Sequence, residues 1–195
     1  LRALIFDTET VGLVQRSLPP SHPSQPDVVQ LAAALVDEKG EIRARFCTLV
    51  IPTVAIHPKA QEIHGISREL TERYGVTRRS ALQSFHALVK QADFFVAHNL
   101  AFDAQVMQTM YHREGVGDPP SFKNGYCTML NSVETCRIPH PNGRSGYKWP
   151  KLIEAYEILV DPKGFAGAHD ALADVIACYE VFKRLRALPG YSGPT

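Results

Sequence analysis

The sequence predicts an α/β domain, a β-sheet with helices packed on it. Three observations carry this. Apolar runs of strand length stand at 3–7, 28–36 and 93–97. Residues 42–46 alternate Ile42, Ala44 and Phe46 with Arg43 and Arg45, the period of a half-buried strand. Further on, apolar side chains recur at helical spacing, most plainly Leu172, Val175, Ile176, Tyr179, Phe182 and Leu185.

The elements follow in order. Residues 3–7 make a short buried strand that ends on an acid, and 28–36 make a second with little polar interruption. Between them 14–27 holds four prolines and is read as an exposed loop. Asp37-Glu38-Lys39-Gly40 turns the chain into the alternating strand. Short helical pieces are expected at 58–65 and 67–74, the second with Ser67 as N-cap. Leu82, Phe85, His86, Leu88 and Val89 mark a helix, 93–97 a fourth strand and 101–113 another helix. Residues 119–145 read as irregular, with one strand near 126–130; helices follow at 152–159 and 170–188. A single domain is expected over 1–188, with 189–195 as a flexible C-terminal tail.

Composition narrows the function classes. The chain has 195 residues with 21 Lys+Arg against 20 Asp+Glu, a formal net charge of +1. No global field attracts a polyanion, so a nucleic-acid partner must be held by local chemistry. No apolar run approaches the roughly 18 residues of a membrane span, and no signal-peptide layout is visible, so a soluble, cytoplasmic protein is expected. The chain begins at Leu1 rather than Met, which leads us to expect residues trimmed from the N-terminus. Cys47, Cys127, Cys136 and Cys178 lack metal-ligand spacing and are expected to be small buried hydrophobes.

The chemistry lies in the carboxylates. Asp7 and Glu9 are two apart on a strand and therefore share a face. Carboxylates that close repel and raise each other's pKa unless a cation lies between them. Hard divalent ions with oxygen ligands, magnesium or manganese, relieve that cost. Asp103 follows the fourth strand in His98-Asn99-Leu100-Ala101-Phe102-Asp103, and Asp174 lies five residues beyond His169. If helical throughout, His169 and Asp174 would lie about 140° apart around the axis and about 7.5 Å along it. They would border one cleft, one holding metal and the other reaching a water that metal makes acidic.

Asp7-x-Glu9 in Phe-Asp-Thr-Glu-Thr, Asp103 in His-Asn-x-x-Phe-Asp and His169-x-Ala-x-x-Asp174 together resemble the three motifs of the DEDDh (DnaQ-like) 3′-to-5′ exonuclease family, the proofreading type. The resemblance runs from about residue 3 to 185. It implies an RNase-H-like mixed sheet with helices on both faces. It further implies that Asp7, Glu9 and Asp174 hold one divalent cation, with Asp7 bridging to a second held by Asp103, and that His169 is the general base. Nucleoside 5′-monophosphates would leave one at a time from the 3′ end. Thr8, Glu9 and Leu13 would contact the terminal nucleotide; His64 and Ile66, in a His-Gly-Ile element, would pack against the strand's end. Phe102 would stack on a base, and His98 and Asn99 would line the cleft. The implied partners are the 3′ end of a single strand and, for the proofreading type, a DNA polymerase or replication complex. Nothing in the chain specifies an oligomeric state. Val11-Gly12 departs from the family's usual Thr-Gly, which removes a polar contact beside the substrate end.

Between 119 and 153, Lys123, Arg137, Arg144, Lys148 and Lys151 are interleaved with Tyr126, Tyr147 and Trp149. That mixture can track a strand's phosphates and stack its bases, or form a solvated loop. The favoured function is a metal-dependent exonuclease on single-stranded or frayed DNA. The alternatives are an exoribonuclease of the same fold, separated by contacts to the 2′-hydroxyl, and a non-catalytic nucleic-acid-binding module.

Overall fold

The turn at 37–40 folds the second strand straight back on the third: Gly40 takes a left-handed φ of 84° and its N–H returns to the Asp37 carbonyl. Around this hairpin a computed structural model, which describes residues 1–194, builds a five-stranded sheet. Its strands are β1 (Ala3–Thr10), β2 (Val28–Val36), β3 (Ile42–Leu49), β4 (Phe94–Ala97) and β5 (Tyr126–Cys127), in the order β3-β2-β1-β4-β5. β1 pairs antiparallel with β2 and parallel with β4. This is the mixed sheet of the RNase-H-like fold.

Helices α1 (Pro58–His64), α2 (Arg68–Tyr74), α3 (Arg78–Val89) and α4 (Leu100–Glu114) come from the middle of the chain. Two short helices, α5 (Thr128–Asn131) and α6 (Val133–Cys136), precede α7 (Leu152–Leu159) and α8 (Ala171–Arg186). The period of two along β1 splits the core. Leu4 and Phe6 join Leu82, Phe85, Val106 and Met107 under α3 and α4, whereas Ala3 and Ile5 join Val175, Cys178 and Phe182 of α8 on the other face. Because alternate residues of one strand serve opposite layers, Asp7 and Glu9 emerge on the α8 face, and Thr8 on the α4 face.

Several expectations are corrected. The apolar run at 3–7 extends as strand to Thr10, as the shared face of Asp7 and Glu9 requires, with a bulge between Glu9 and Thr10. The fifth strand stops at Cys127: β4 ends at Ala97, the partner of Cys127, so no backbone remains for Thr128 to pair with. The loop at 14–27 is not simply exposed. Gln25 and Asp27 are buried, and the Gln25 amide nitrogen donates to the carbonyls of Gln15, Leu18 and Pro19. Of the cysteines only Cys178 is buried, whereas Cys47 is exposed on the edge strand β3, its Sγ 3.5 Å from the Gln30 amide nitrogen. Beyond α8, Tyr191 packs its ring 5.5 Å from that of Tyr126. No helix among the described residues is long and apolar enough to cross a membrane.

Candidate active site

Three elements deliver the acids: β1 supplies Asp7 and Glu9, the first turn of α4 supplies Asp103, and the first turn of α8 supplies Asp174. Ligand atoms of Glu9, His169 and Asp174 lie within 4.8 Å of one another. Burial, followed by the charges of Asp103, Asp174, Glu9 and Asp170, pushes the Asp7 carboxyl well above the usual range. Burial and the Asp174, Asp103 and Asp170 charges push Glu9 up to about 8. Burial raises Asp103 to about 7 against the opposing bonds from Thr8, and raises Asp174 to about 6 against the His169 N–H.

Asp174 Oδ1 is buried with no hydrogen-bond partner among the described residues. Crowded carboxylates with raised pKa values and an orphaned buried oxygen fit a hard cation, which would satisfy the oxygen and relieve the repulsion. The fit extends to His169, which the resemblance made the base: a ring nitrogen of this exposed residue also reaches the cluster.

His169 is not helical, contrary to the assumption of a continuous helix. It stands at φ 69°, immediately before the N-cap Asp170, a left-handed geometry costing a non-glycine residue ~1–2 kcal/mol. Its N–H donates to Asp174 Oδ2 at 3.2 Å. Asn99 is also left-handed, at φ 73°, as the residue that turns β4 into α4.

A cavity of about 510 Å³ opens from Glu9, lined by Leu13, His57, Lys59, His64 and Phe102 among others. Leu13 is 82% exposed there, an apolar side chain held out into solvent. The Ile66 N–H donates to His64 Nδ1 at 3.0 Å, which leaves the proton on Nε2, a buried nitrogen without a partner among the described residues. Burial also holds the His64 pKa below the usual histidine range.

Leu13, His64 and Phe102 thus meet Glu9 at one cavity. Three other expected contacts are placed differently. Thr8 is buried, and its N–H and hydroxyl both donate to Asp103 Oδ1, so it orients an acid rather than a nucleotide. Ile66 packs with Val11 and Val29 in a small apolar cluster, which also explains a valine at position 11. Both His98 ring nitrogens are engaged, Nδ1 with the Thr128 hydroxyl and Nε2 with the Pro150 carbonyl, each at 2.9 Å, leaving none for substrate.

Sequence reasoning missed His57 and Lys59, which no spacing marks, and Gln30. Gln30 was visible as the lone polar residue in the apolar run of β2. In the basic stretch, Lys148 Nζ is taken by both Glu154 oxygens at 2.6 Å, and Tyr126 is buried, while Tyr147 and Trp149 are exposed.

Among known proteins, the 3′-5′ exonuclease DinG of Bacillus subtilis (strain 168) is 30% identical over 188 residues, 96% of this chain and 18% of DinG. The DNA polymerase III subunit epsilon of Treponema pallidum (strain Nichols) is 26% identical over 186 residues, 93% of this chain and 75% of that one. Escherichia coli exonuclease I in complex with a dT13 oligonucleotide superposes with a TM-score of 0.76 at 19% identity, covering 95% of this chain and 41% of that one. A zinc-bound form of the same enzyme with single-stranded DNA gives 0.70 at 22% identity, covering 95% and 40%. The chain therefore spans less than half the length of DinG and of exonuclease I. The sequence profile of the family described as Exonuclease, RNase_T, matches residues 4–182. With that match over nearly its whole length and the acids of the three motifs gathered at the end of one sheet, the chain belongs to the RNase_T exonuclease family, the 3′-5′ exonucleases of the DnaQ type.

Proposed function

We propose that the chain is a metal-dependent 3′-to-5′ exonuclease that releases nucleoside 5′-monophosphates from single-stranded or frayed DNA. The observation that carries the proposal is the convergence of Asp7, Glu9, Asp103 and Asp174 with the exposed His169 ring beside them. DNA is the substrate class chosen because the relatives include a DNA polymerase subunit and an exonuclease crystallised on dT13. The epsilon likeness extends the proposal to a replication complex as partner.

Asp7, Glu9, Asp103 and Asp174 would hold two magnesium or manganese ions. When bound, these ions supply Lewis-acid polarisation of the phosphate and acidify water. The chain's own residues do the rest. Leu13 and Phe102 offer apolar and aromatic faces to the terminal base, which accept any base. His64 lines the same cavity beside them. His169, exposed to water, accepts the proton of the attacking water at a ring nitrogen.

Digestion of matched end-labelled DNA and RNA oligonucleotides with magnesium, manganese or EDTA tests this. Stepwise monophosphate release from the DNA 3′ end, only with divalent metal and lost in Asp7→Ala, is the expected result. Faster digestion of RNA would overturn the substrate, and activity in EDTA would overturn the mechanism.

A further inference from the structure

Gln30 sits directly opposite Glu9 in the antiparallel β1–β2 register, so its side chain rises on the face that carries the acids. It is buried, and both ends of its amide reach the start of α8. Oε1 accepts the Ala171 N–H at 2.9 Å, and Nε2 donates to Asp170 Oδ2 at 3.0 Å. The other Asp170 oxygen caps the helix, accepting from the Leu172 and Ala173 N–H groups at 3.1 Å each. One residue earlier stands His169 with its left-handed backbone.

A left-handed non-glycine residue persists only where its surroundings over-determine it. Here two restraints do so. Asp174 holds the His169 N–H, and Gln30 holds the next two residues against β2, the strand paired with the one that carries Glu9. Among the described residues no backbone hydrogen bond of the sheet reaches this segment, so the Gln30 amide is the direct polar tie between β2 and the His169 turn.

We propose that Gln30 is a positioning residue, a clamp that fixes the His169 turn relative to Glu9 and so sets where the histidine ring meets the attacking water. This rests on the reading of His169 given above. A buried amide that served the fold alone would lower stability when removed, without acting through His169. The geometry also predicts a reversal: Gln30→Glu combined with Asp170→Asn restores the bond between the two side chains with donor and acceptor exchanged. The glutamate keeps an oxygen for the Ala171 N–H, and the asparagine oxygen still caps the helix.

The experiment compares Gln30→Leu, the reversed pair, its two single variants and His169→Ala in single-turnover digestion of an end-labelled oligodeoxythymidylate with magnesium. Amide exchange at Ala171 is read separately in the metal-free protein. Gln30→Leu is expected to lower the maximal rate on the order of 10–100-fold while KM changes little. Combined with His169→Ala it should add no further loss, and Ala171 should lose exchange protection. The reversed pair should recover most of the rate that Gln30→Glu and Asp170→Asn each lose; it carries the test if Gln30→Leu does not fold. A wild-type rate in Gln30→Leu, or a loss that multiplies with that of His169→Ala, overturns the clamp and leaves the histidine's role standing. A wild-type rate in His169→Ala overturns that role and the clamp's purpose together, whereas Ala171 protection still reports whether the bond itself exists.

Discussion

Thr8 holds Asp103 by two bonds to the same oxygen, the backbone N–H at 3.1 Å and the hydroxyl at 2.8 Å. The period of two makes this possible: while Asp7 and Glu9 face α8, the residue between them faces α4 and fixes the acid that α4 contributes. Both bonds favour the ionised carboxylate against a burial that drives its pKa to about 7.

Thr8→Val keeps the β-branch and the N–H but removes the hydroxyl. A hydrogen bond to a charged group contributes about 1.5–3 kcal/mol, so the rate should fall roughly tenfold or more. With Asp103 harder to ionise, metal affinity should weaken most at the acid end of a titration from about pH 6 to 8. Equal weakening across that range would refute the orienting role.

His169→Ala should reduce the maximal rate by about 10²–10⁴-fold if the ring is the general base. Manganese affinity, followed by calorimetry, should stay near wild type. Because the ring also reaches the Glu9–Asp174 cluster, a large drop in metal affinity would make it a ligand instead.

The acids give the metal-free protein a pH dependence of definite sign. Asp7, Glu9, Asp103 and Asp174 all have folded-state pKa values raised above their unfolded ones, Glu9 to about 8. The folded state then binds more protons than the unfolded state, so stability falls as pH rises from about 4 through 8. Magnesium or manganese should offset this, by roughly 2.7 kcal/mol at 100 times its Kd. Melting with and without metal should show a larger gain near pH 8 than near pH 5, and an equal gain at both would contradict the charge crowding.

Asp27 anchors the end of the 14–27 loop. Its carboxylate accepts from the Thr53 N–H and hydroxyl and pairs with Arg78 and Arg113, while Arg113 also donates to the carbonyls of Pro23 and Gln25. Burial opposes ionisation, but these partners outweigh it and hold the pKa below the usual value. The associated stability is present above the unfolded pKa near 4 and is lost as pH falls through the folded one. Asp27→Ala should cost about 3 kcal/mol, the low end for a broken buried pair because both arginines keep some solvent contact. Urea denaturation measures it, and a loss below about 1 kcal/mol, the scale of a surface pair, would dismiss the network.

The basic stretch divides into two parts. Lys148 is occupied by Glu154, so Lys148→Ala should disturb the start of α7 more than strand binding. Arg144 and Lys151 are exposed near Tyr147 and Trp149. Neutralising both should flatten the salt dependence of single-strand binding by about 0.7 in log–log slope for each phosphate they neutralise in the wild type. An unchanged slope would leave this segment as a solvated loop.

Much of this protein was legible in its sequence. Short-range periodicity placed Asp7 and Glu9 on one face of a strand, and the acids' order along the chain identified the family that the profile match bears out. Apolar spacing placed α8 to within two residues at each end. Tertiary structure decided what depends on partners distant in the chain. β5 ends where β4 does, Thr8 turns to Asp103 across 95 residues, and the His98 ring is closed off by Thr128 and Pro150. Local propensity expresses one residue's own backbone and its near neighbours, whereas a hydrogen-bond partner is chosen only when the sheet brings separate segments together. Gln30 marks that boundary: the sequence displays a lone amide in an apolar strand, and only the packing of α8 against β2 supplies its bonds to Asp170 and Ala171.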